Sequence, residues 1–337
     1  MNQFKQTGFT LLELMIALAL GLVIVAAAIT LFITGQRSYS VQQGMSENQS
    51  NANFGLNIIA KDVRHTNLDG ASGGLNDRKK FGGIVLSSST NSFEDTANGG
   101  VKLANLPTTI PTSSAPLVLL SRSNGQAVGT GNQWTGASNV ELASGGAINS
   151  DQLVILYLPI ITGTFDCEGN AINLADGYVI QRYFLRADAN AATTEPNRPL
   201  ALACDAGRIA VGDPTAISNY GDAGQIIMQR VDHFRVLLGI EQGTGAALRR
   251  RFVDVNTYMG FPSSATAVRP NIVSVQLGVL SRSTQAVGND NVVKNDQEFT
   301  ILDQTVKVKS VTGTTPPKYV RQVVVQTVAL RNAARGG

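Results

Sequence analysis

The feature that most constrains this chain is an apolar run from Phe9 to Ile33 in which Glu13 is the one charged residue. The uncharged part, of about 20 residues, spans ~30 Å as a helix, which is the thickness of a bilayer's hydrocarbon core. An ordinary secretory signal has a shorter apolar core followed by a small-x-small cleavage site. The run therefore predicts a transmembrane helix over residues 9–34. The presence of Glu13 requires a separate explanation, because inserting a carboxylate into a membrane-spanning helix costs free energy.

The residues around the start of this run carry a resemblance. The segment Gly8-Phe9-Thr10-Leu11-Leu12-Glu13-Leu14 resembles the class III signal of type IV pilins and type II secretion pseudopilins. The resemblance implies a leader peptide over residues 1–8, cut between Gly8 and Phe9 by a prepilin peptidase on the cytoplasmic side. It also implies N-methylation of Phe9 and a role for Glu13 in assembly, since an acid at the fifth mature position is the hallmark of these families.

The chemistry of Glu13 agrees with that role. Cleavage would leave a cationic amine on Phe9, one helical turn before the carboxylate. An acid in the first turn also complements the helix dipole. In a filament of stacked helices Glu13 could instead meet the amine of a neighbouring subunit. Because a buried charge is tolerated only when it is paired, this contact would check the axial register of an incoming subunit.

The leader also indicates the orientation of the chain. Lys5 is its one charged residue. Positive charge beside a membrane helix favours the cytoplasmic side, so we expect the N-terminus in the cytoplasm and the rest exported. The expected location is a bacterial inner membrane, crossed once, with a periplasmic C-terminal domain that later joins a pilus.

Apolar residues recur at helical spacing beyond the membrane segment, at Ala52, Leu56, Ile59 and Val63. This stripe predicts that the helix continues as an amphipathic segment over residues 35–68. Three glycines are weak points where it could bend, namely Gly35, Gly44 and Gly55. We expect its end near Thr66, with Gly70 as the C-cap.

Residues 69–337 change to a pattern of period two and predict a large β-rich domain. The strand candidates are Phe81–Leu86, Leu117–Ser121, Leu153–Leu158, Tyr178–Arg186, Phe234–Ile240, Ile272–Ser281, Phe299–Lys309 and Tyr319–Leu330. The expected fold class is α+β and pilin-like, with a long N-terminal helix packed on a large antiparallel sheet.

The two cysteines, Cys167 and Cys204, lie in this domain. After export they would pair and close a loop of roughly 40 residues, worth ~3–4 kcal/mol in the chain-entropy model. Two buried free thiols are the alternative. Asp166 and Glu168 flank Cys167, but a carboxylate pair alone does not define a site. With two histidines and no suitable spacing, we predict no metal site, no cofactor and no catalytic residues.

Four further segments, over residues 55–64, 231–236, 279–283 and 327–332, resemble minor pilins of the PilW type. The resemblance implies a non-enzymatic subunit that primes or caps a type IV pilus, in a tip complex serving adhesion, twitching motility or DNA uptake. It implies other minor pilins and the major pilin as partners, with a PilY-family tip adhesin as a further candidate. The net charge of +3 is too weak to indicate direct binding of nucleic acid.

Two alternatives stay open from sequence. One is a minor pseudopilin of a type II secretion system, similar to GspJ. The other is a periplasmic binding protein or enzyme on an uncleaved membrane anchor. The sequence contains neither a phosphate-binding loop motif nor a Gly-x-Ser-x-Gly motif that would favour an enzyme.

Overall fold

The computed structural model describes residues 8–68, 74–110, 116–191, 195, 197–212, 214–243, 245–287, 293–294, 296–310 and 317–334. The α-helices in these residues are α1 (Leu11–His65), α2 (Pro116–Leu119) and α3 (Val255–Met259).

Helix α1 has two halves with different surroundings. Almost every residue from Leu11 to Gln43 is exposed, and this half contains the stretch that is long and apolar enough to cross a membrane. From Gly44 onward one face of the helix is buried against the body, and it includes the whole predicted stripe: Ala52, Leu56, Ile59 and Val63. The helix ends at His65, close to the expected position, while Gly70 lies outside the described residues.

The described residues form fifteen strands: β1 (Phe93–Asp95), β2 (Val101–Leu103), β3 (Val140–Leu142), β4 (Leu153–Tyr157), β5 (Thr164–Phe165), β6 (Ala171–Ile172), β7 (Tyr178–Ala187), β8 (Leu200–Ile209), β9 (Gln225–Gln229), β10 (Val231–Gln242), β11 (Arg249–Val253), β12 (Asn271–Arg282), β13 (Glu298–Ile301), β14 (Gln304–Val308) and β15 (Arg321–Ala329).

These strands pair antiparallel throughout. Sheet 1 has the order β11-β10-β12-β15, and sheet 2 has the order β4-β7-β8-β9. Sheet 3 has the order β13-β14-β3, while β1-β2 and β5-β6 are separate hairpins. The long helix on an antiparallel β domain confirms the predicted α+β, pilin-like fold.

The packed half of α1 shares one hydrophobic core with both four-stranded sheets. Leu56 lies in the same buried cluster as Leu202 of sheet 2 and Val279 of sheet 1. Leu280 points to the opposite face of sheet 1, because side chains alternate along a strand, and there it packs against sheet 3. Burying each such side chain is worth ~1.5–3 kcal/mol, so α1 is held by the core of the domain rather than by its own helix propensity.

Two of the glycines named as weak points are sites of close approach, and α1 is continuous through them. A Cβ at Gly55 would lie 3.1 Å from Cβ of Met228 on β9. A Cβ at Gly44 would lie 3.3 Å from Cβ of Ser283, just after β12. The missing side chains therefore let the helix lie directly on the β domain.

The predicted strand Phe81–Leu86 is wrong. This segment runs along the edge of β4 with a single isolated bridge, between Ile84 and Ile155. Phe81 has a left-handed backbone (φ 57°), and Oδ1 of Asn105 accepts the backbone N–H of Leu86 at 2.9 Å. The side chain of Asn105 thus accepts the backbone hydrogen bond that a neighbouring strand would otherwise accept.

The predicted strand Leu117–Ser121 is also wrong, since most of it lies in the single helical turn α2. A short buried apolar run cannot be assigned to strand or helix by periodicity. Pro116 begins the turn, and proline is well tolerated at the first position of a helix.

The predicted strand Phe299–Lys309 is a hairpin, β13 and β14, folded at Leu302 and Asp303. Leu302 has a left-handed backbone (φ 55°), and the carboxylate of Asp303 accepts a hydrogen bond from Nη2 of Arg235 at 2.6 Å. A tertiary contact therefore fixes a turn that carries no glycine signal.

Strand β8, missed from the sequence, is buried along nearly its whole length. Its residues alternate poorly, and Asp205 in its middle argues against a buried strand. The structure pairs this carboxylate with Nε of Arg182 on β7 at 2.6 Å, and both side chains are fully buried. Only the tertiary partner makes this sequence suitable for the centre of a sheet.

Candidate functional site

The start of α1 is built around Thr10 and Glu13. Thr10 is the N-cap: its Oγ1 accepts the backbone N–H of Glu13 at 3.2 Å. The carboxylate of Glu13 accepts in return the backbone N–H and the hydroxyl of Thr10, each at 3.0 Å. This reciprocal capping box satisfies helix-end donors that have no partner within the helix. Glu13 is thus engaged locally in the uncleaved chain.

The predicted cleavage residues lie immediately before the cap. Phe9 is 90% exposed, and apart from the adjacent residues no heavy atom of the described chain lies within 4 Å of the Cβ position of Gly8. The peptide between them therefore stands clear of the rest of the described chain. Such access is what a protease acting at the membrane surface requires.

Beyond the cap, large apolar side chains are exposed around the helix, and they include Leu11, Leu18, Leu22, Ile24 and Phe32, each more than half exposed. Soluble proteins seldom expose so large a contiguous apolar surface. These side chains need lipid or the helices of other subunits as neighbours. No part of the β domain that the structure describes covers them.

The packed half of α1 is anchored by a buried polar network that sequence reasoning missed. Asp62 accepts hydrogen bonds from Oη of Tyr183 at 2.8 Å and from Nε2 of Gln181 at 3.3 Å. Gln181 also accepts the hydroxyl of Tyr157 at 3.2 Å. Burial raises the pKa of Asp62. The sequence feature that could have indicated this network is an acidic residue, Asp62, next to Val63 of the apolar stripe.

Two asparagines add contacts that fix α1 along its axis. Nδ2 of Asn48 donates to the carbonyl of Ser281 at 3.1 Å, and Nδ2 of Asn51 donates to the carbonyl of Gln229 at 3.0 Å. These bonds join the helix to β12 of sheet 1 and β9 of sheet 2. A slip of the helix by one residue would break both.

The cysteines form a disulfide in the structure, with their Cα atoms 6.1 Å apart, which confirms the predicted pair Cys167–Cys204. The bridge ties β8 to the turn that follows β5. In that turn Oδ1 of Asp166 accepts the backbone N–H groups of Glu168 and Asn170, at 3.0 and 2.9 Å. Asp166 is therefore a turn-stabilising residue.

His233 is buried where sheet 1 meets sheet 3. Its Nδ1 lies 3.0 Å from Oγ of Ser138 and 3.1 Å from Oγ of Ser150. Gln304 lies between His233 and Arg235. Its amide nitrogen donates a hydrogen bond to Nε2 of His233, and its amide oxygen accepts hydrogen bonds from the guanidinium group of Arg235. Burial lowers the pKa of His233 to about 4, so the ring is neutral and serves packing.

Comparison with known proteins agrees with this geometry. The prokaryotic N-terminal methylation motif matches residues 3–29. The family model described as type IV pilus-assembly protein W matches residues 182–332. A type IV-like pilin from Thermus thermophilus is similar at 15% identity and a TM-score of 0.26, covering 55% of this chain and 81% of its own, which is too weak to bear on function. No curated protein matches significantly.

The N-terminal segment is similar to that of proteins whose N-terminus is cleaved and methylated, and the long helix on an antiparallel β domain agrees with a pilin-like fold. Over residues 182–332 the chain is similar to the PilW family. The matched region runs from within β7 through β15, and so includes β9, β12 and β15, the strands on which α1 packs. The match confirms the resemblance noted for the segments over residues 231–236, 279–283 and 327–332, while the segment over residues 55–64 lies outside the matched region.

Proposed function

We propose that this chain is a minor pilin that enters a type IV pilus through α1 and helps to prime or cap that pilus at its tip. The observation that carries the proposal is the division of α1. Its first half exposes an apolar surface that the chain itself does not cover, and its second half is locked to the β domain. A subunit of this shape assembles by offering the first half to other helices.

The route into the filament begins with processing. The prepilin peptidase cleaves between Gly8 and Phe9 and the new N-terminus is methylated. Before assembly the first half of α1 crosses the inner membrane, with the N-terminus in the cytoplasm and the β domain in the periplasm. The accessible peptide at Gly8 and the match to the methylation motif support this order.

Glu13 changes partner during this route. In the uncleaved chain its carboxylate caps the helix through Thr10. Cleavage places a cationic amine on Phe9, one turn away, and in the filament the carboxylate pairs with that amine or with the amine of the adjacent subunit. An unpaired carboxylate is costly among apolar helices, so pairing favours the correct axial position.

The bulk of the β domain supports a position at the tip. The chain has 337 residues, and most of them lie beyond α1. Such a domain is hard to repeat along a close-packed filament, whereas at the tip no subunit lies above it. The partners proposed there are other minor pilins, the major pilin below, and a PilY-family adhesin. The role is structural rather than catalytic.

An epitope tag replacing part of the loop at residues 126–131, which is largely exposed, tests the position. Immunogold labelling of sheared pili should show the tag at filament ends, in one or a few copies. A matched tag on the major pilin should label the shaft. Label from the minor pilin spread along the shaft would contradict a tip position.

The competing assignments make different predictions. A type II secretion pseudopilin would be needed for enzyme secretion and not for pili, so deletion should separate the two. A membrane-anchored enzyme or binding protein would retain Met1. Mass spectrometry of the purified protein should instead find methylated Phe9 as the first residue.

A further inference from the structure

Three carboxylates converge beside the disulfide, although they are distant in sequence. Glu168 follows Cys167, Asp205 follows Cys204 on β8, and Asp222 lies in the loop between β8 and β9. One oxygen from each carboxylate lies within 4.8 Å of the others. The disulfide brings the first two segments together, because each cysteine directly precedes one of these two acids.

The third acid is held in place by the backbone of its loop. Oδ1 of Asp222 accepts the backbone N–H of Gly224 at 2.7 Å, and Oδ2 of Asp205 accepts the backbone N–H of Gly221 at 2.9 Å. The main chain at Gly224 lies so close to that of Cys204 that a Cβ there would collide with it. The loop is therefore pressed onto β8, and this contact positions Asp222 over Asp205.

One carboxylate oxygen of Asp205 is buried without a partner in the described part of the chain. The side chain of Asp205 is fully buried, and Arg182 pairs with Oδ2. Oδ1 is also buried and has no hydrogen-bond partner among the residues that the structure describes. A buried carboxylate oxygen without a donor is rare and calls for an ion or a water molecule.

The charges at this place do not balance within the protein. Three carboxylates face one another, and Arg182, on the inner side, offsets one of them. Carboxylates at this spacing repel one another, and the repulsion is relieved either by a proton on one of them or by a cation between them. The two outer acids, Glu168 and Asp222, are partly or fully exposed, so an ion can enter from solvent.

We propose that Glu168, Asp205 and Asp222 form a binding site for a hard divalent cation, with Ca²⁺ as the preferred ion. Calcium takes six to eight oxygen ligands in flexible geometry, and carboxylates from separate segments together with water meet that demand. Mg²⁺ requires a stricter octahedron and holds its own water more firmly. The bound ion would join the disulfide turn to the loop between β8 and β9. The site stands independently of the pilus assignment.

The test uses the full-length protein in detergent, freed of metal with a chelator. Extracellular calcium modules bind at about 10⁻⁴–10⁻³ M, so CaCl₂ is titrated to several millimolar in a calorimeter and in thermal unfolding. Saturable binding and a rise in Tm of several degrees are expected, with a smaller response to MgCl₂. No saturable binding of Ca²⁺ to the wild-type protein would overturn the proposal.

Two variants keep the side-chain shape and remove one charge each, Glu168→Gln and Asp222→Asn. Each should weaken Ca²⁺ binding at least tenfold and raise Tm in the metal-free state, because repulsion is relieved. Glu298→Gln, at an exposed carboxylate on β13, is the matched control and should bind like the wild type. Variants that gain Tm while binding Ca²⁺ as tightly as the wild type would show a merely repulsive cluster and reject the site.

Discussion

The two halves of α1 form one uninterrupted helix, yet they depend on different partners. The first half is an exposed apolar surface with a single carboxylate, Glu13, and that acid is satisfied within its own turn. The second half buries its apolar stripe and places one of its two acids, Asp62, against sheet 2. The first half therefore depends on other molecules for its contacts, and the second on the β domain. Substitutions in the two halves should have separable effects.

The largest expected effect is on assembly and comes from Glu13→Val. This change leaves the cleavage site intact but removes the carboxylate that we propose pairs with the amine, so incorporation into pili should fall at least tenfold while the fold is unchanged. Quantitative immunoblotting of sheared pili against the membrane fraction measures it. Glu47→Val, at an exposed acid in the second half, is the matched control. Normal incorporation of the Glu13 variant would refute the register role.

The largest expected effect on folding comes from Ile59→Ala. Ile59 is fully buried between α1 and the sheets, so the free energy of unfolding should fall by about 2–5 kcal/mol. Urea unfolding of the full-length protein in detergent, followed by fluorescence of the buried Trp134, measures the change. Ile24→Ala, in the exposed half, is the matched control and should change it by under about 0.5 kcal/mol. Equal losses for the two variants would remove the distinction between the halves.

How far the sequence predicts the molecule also differs between regions. The helix, its apolar stripe and the disulfide follow from local signals: an uncharged run, a period near 3.6 and two cysteines. The β domain is predicted less well. Leu302 turns without glycine because Arg235 holds Asp303, and β8 tolerates Asp205 because Arg182 neutralises it. Such pairings join residues far apart along the chain, and no local pattern marks them. The convergence of Glu168 with Asp222 was hidden for the same reason.

One pH effect on stability should arise in the β domain, from His233. The ring stays neutral until its lowered pKa of about 4, whereas in the unfolded chain it takes up a proton near 6.5. Stability from this residue is therefore complete above pH 6.5 and is lost as the pH falls toward 4, by about 3 kcal/mol.

Urea unfolding at several pH values, comparing the wild type with His233→Asn, measures that contribution. The variant should be less stable at neutral pH, and its stability should fall less between pH 6.5 and 4. The same slope in both proteins would show that His233 is not the titrating group.

The smallest effect is expected for Asp62→Asn. The amide oxygen can still accept the hydroxyl of Tyr183, while the cost of burying a charge disappears. Because burial raises the pKa of Asp62, the charged form is the disfavoured one. The free energy of unfolding at pH 8 should therefore rise by under about 1 kcal/mol.

Asp62→Leu is the informative counterpart, because it leaves the buried hydroxyl of Tyr183 without its acceptor and should cost about 1–3 kcal/mol. A gain with Asn and a loss with Leu would show that Asp62 acts as a hydrogen-bond acceptor in the packed half. If Asn destabilised as strongly as Leu, the charge itself would be needed. The acids of the two halves would then both act through their charge, and Asp62 would no longer differ from Glu13 in this respect.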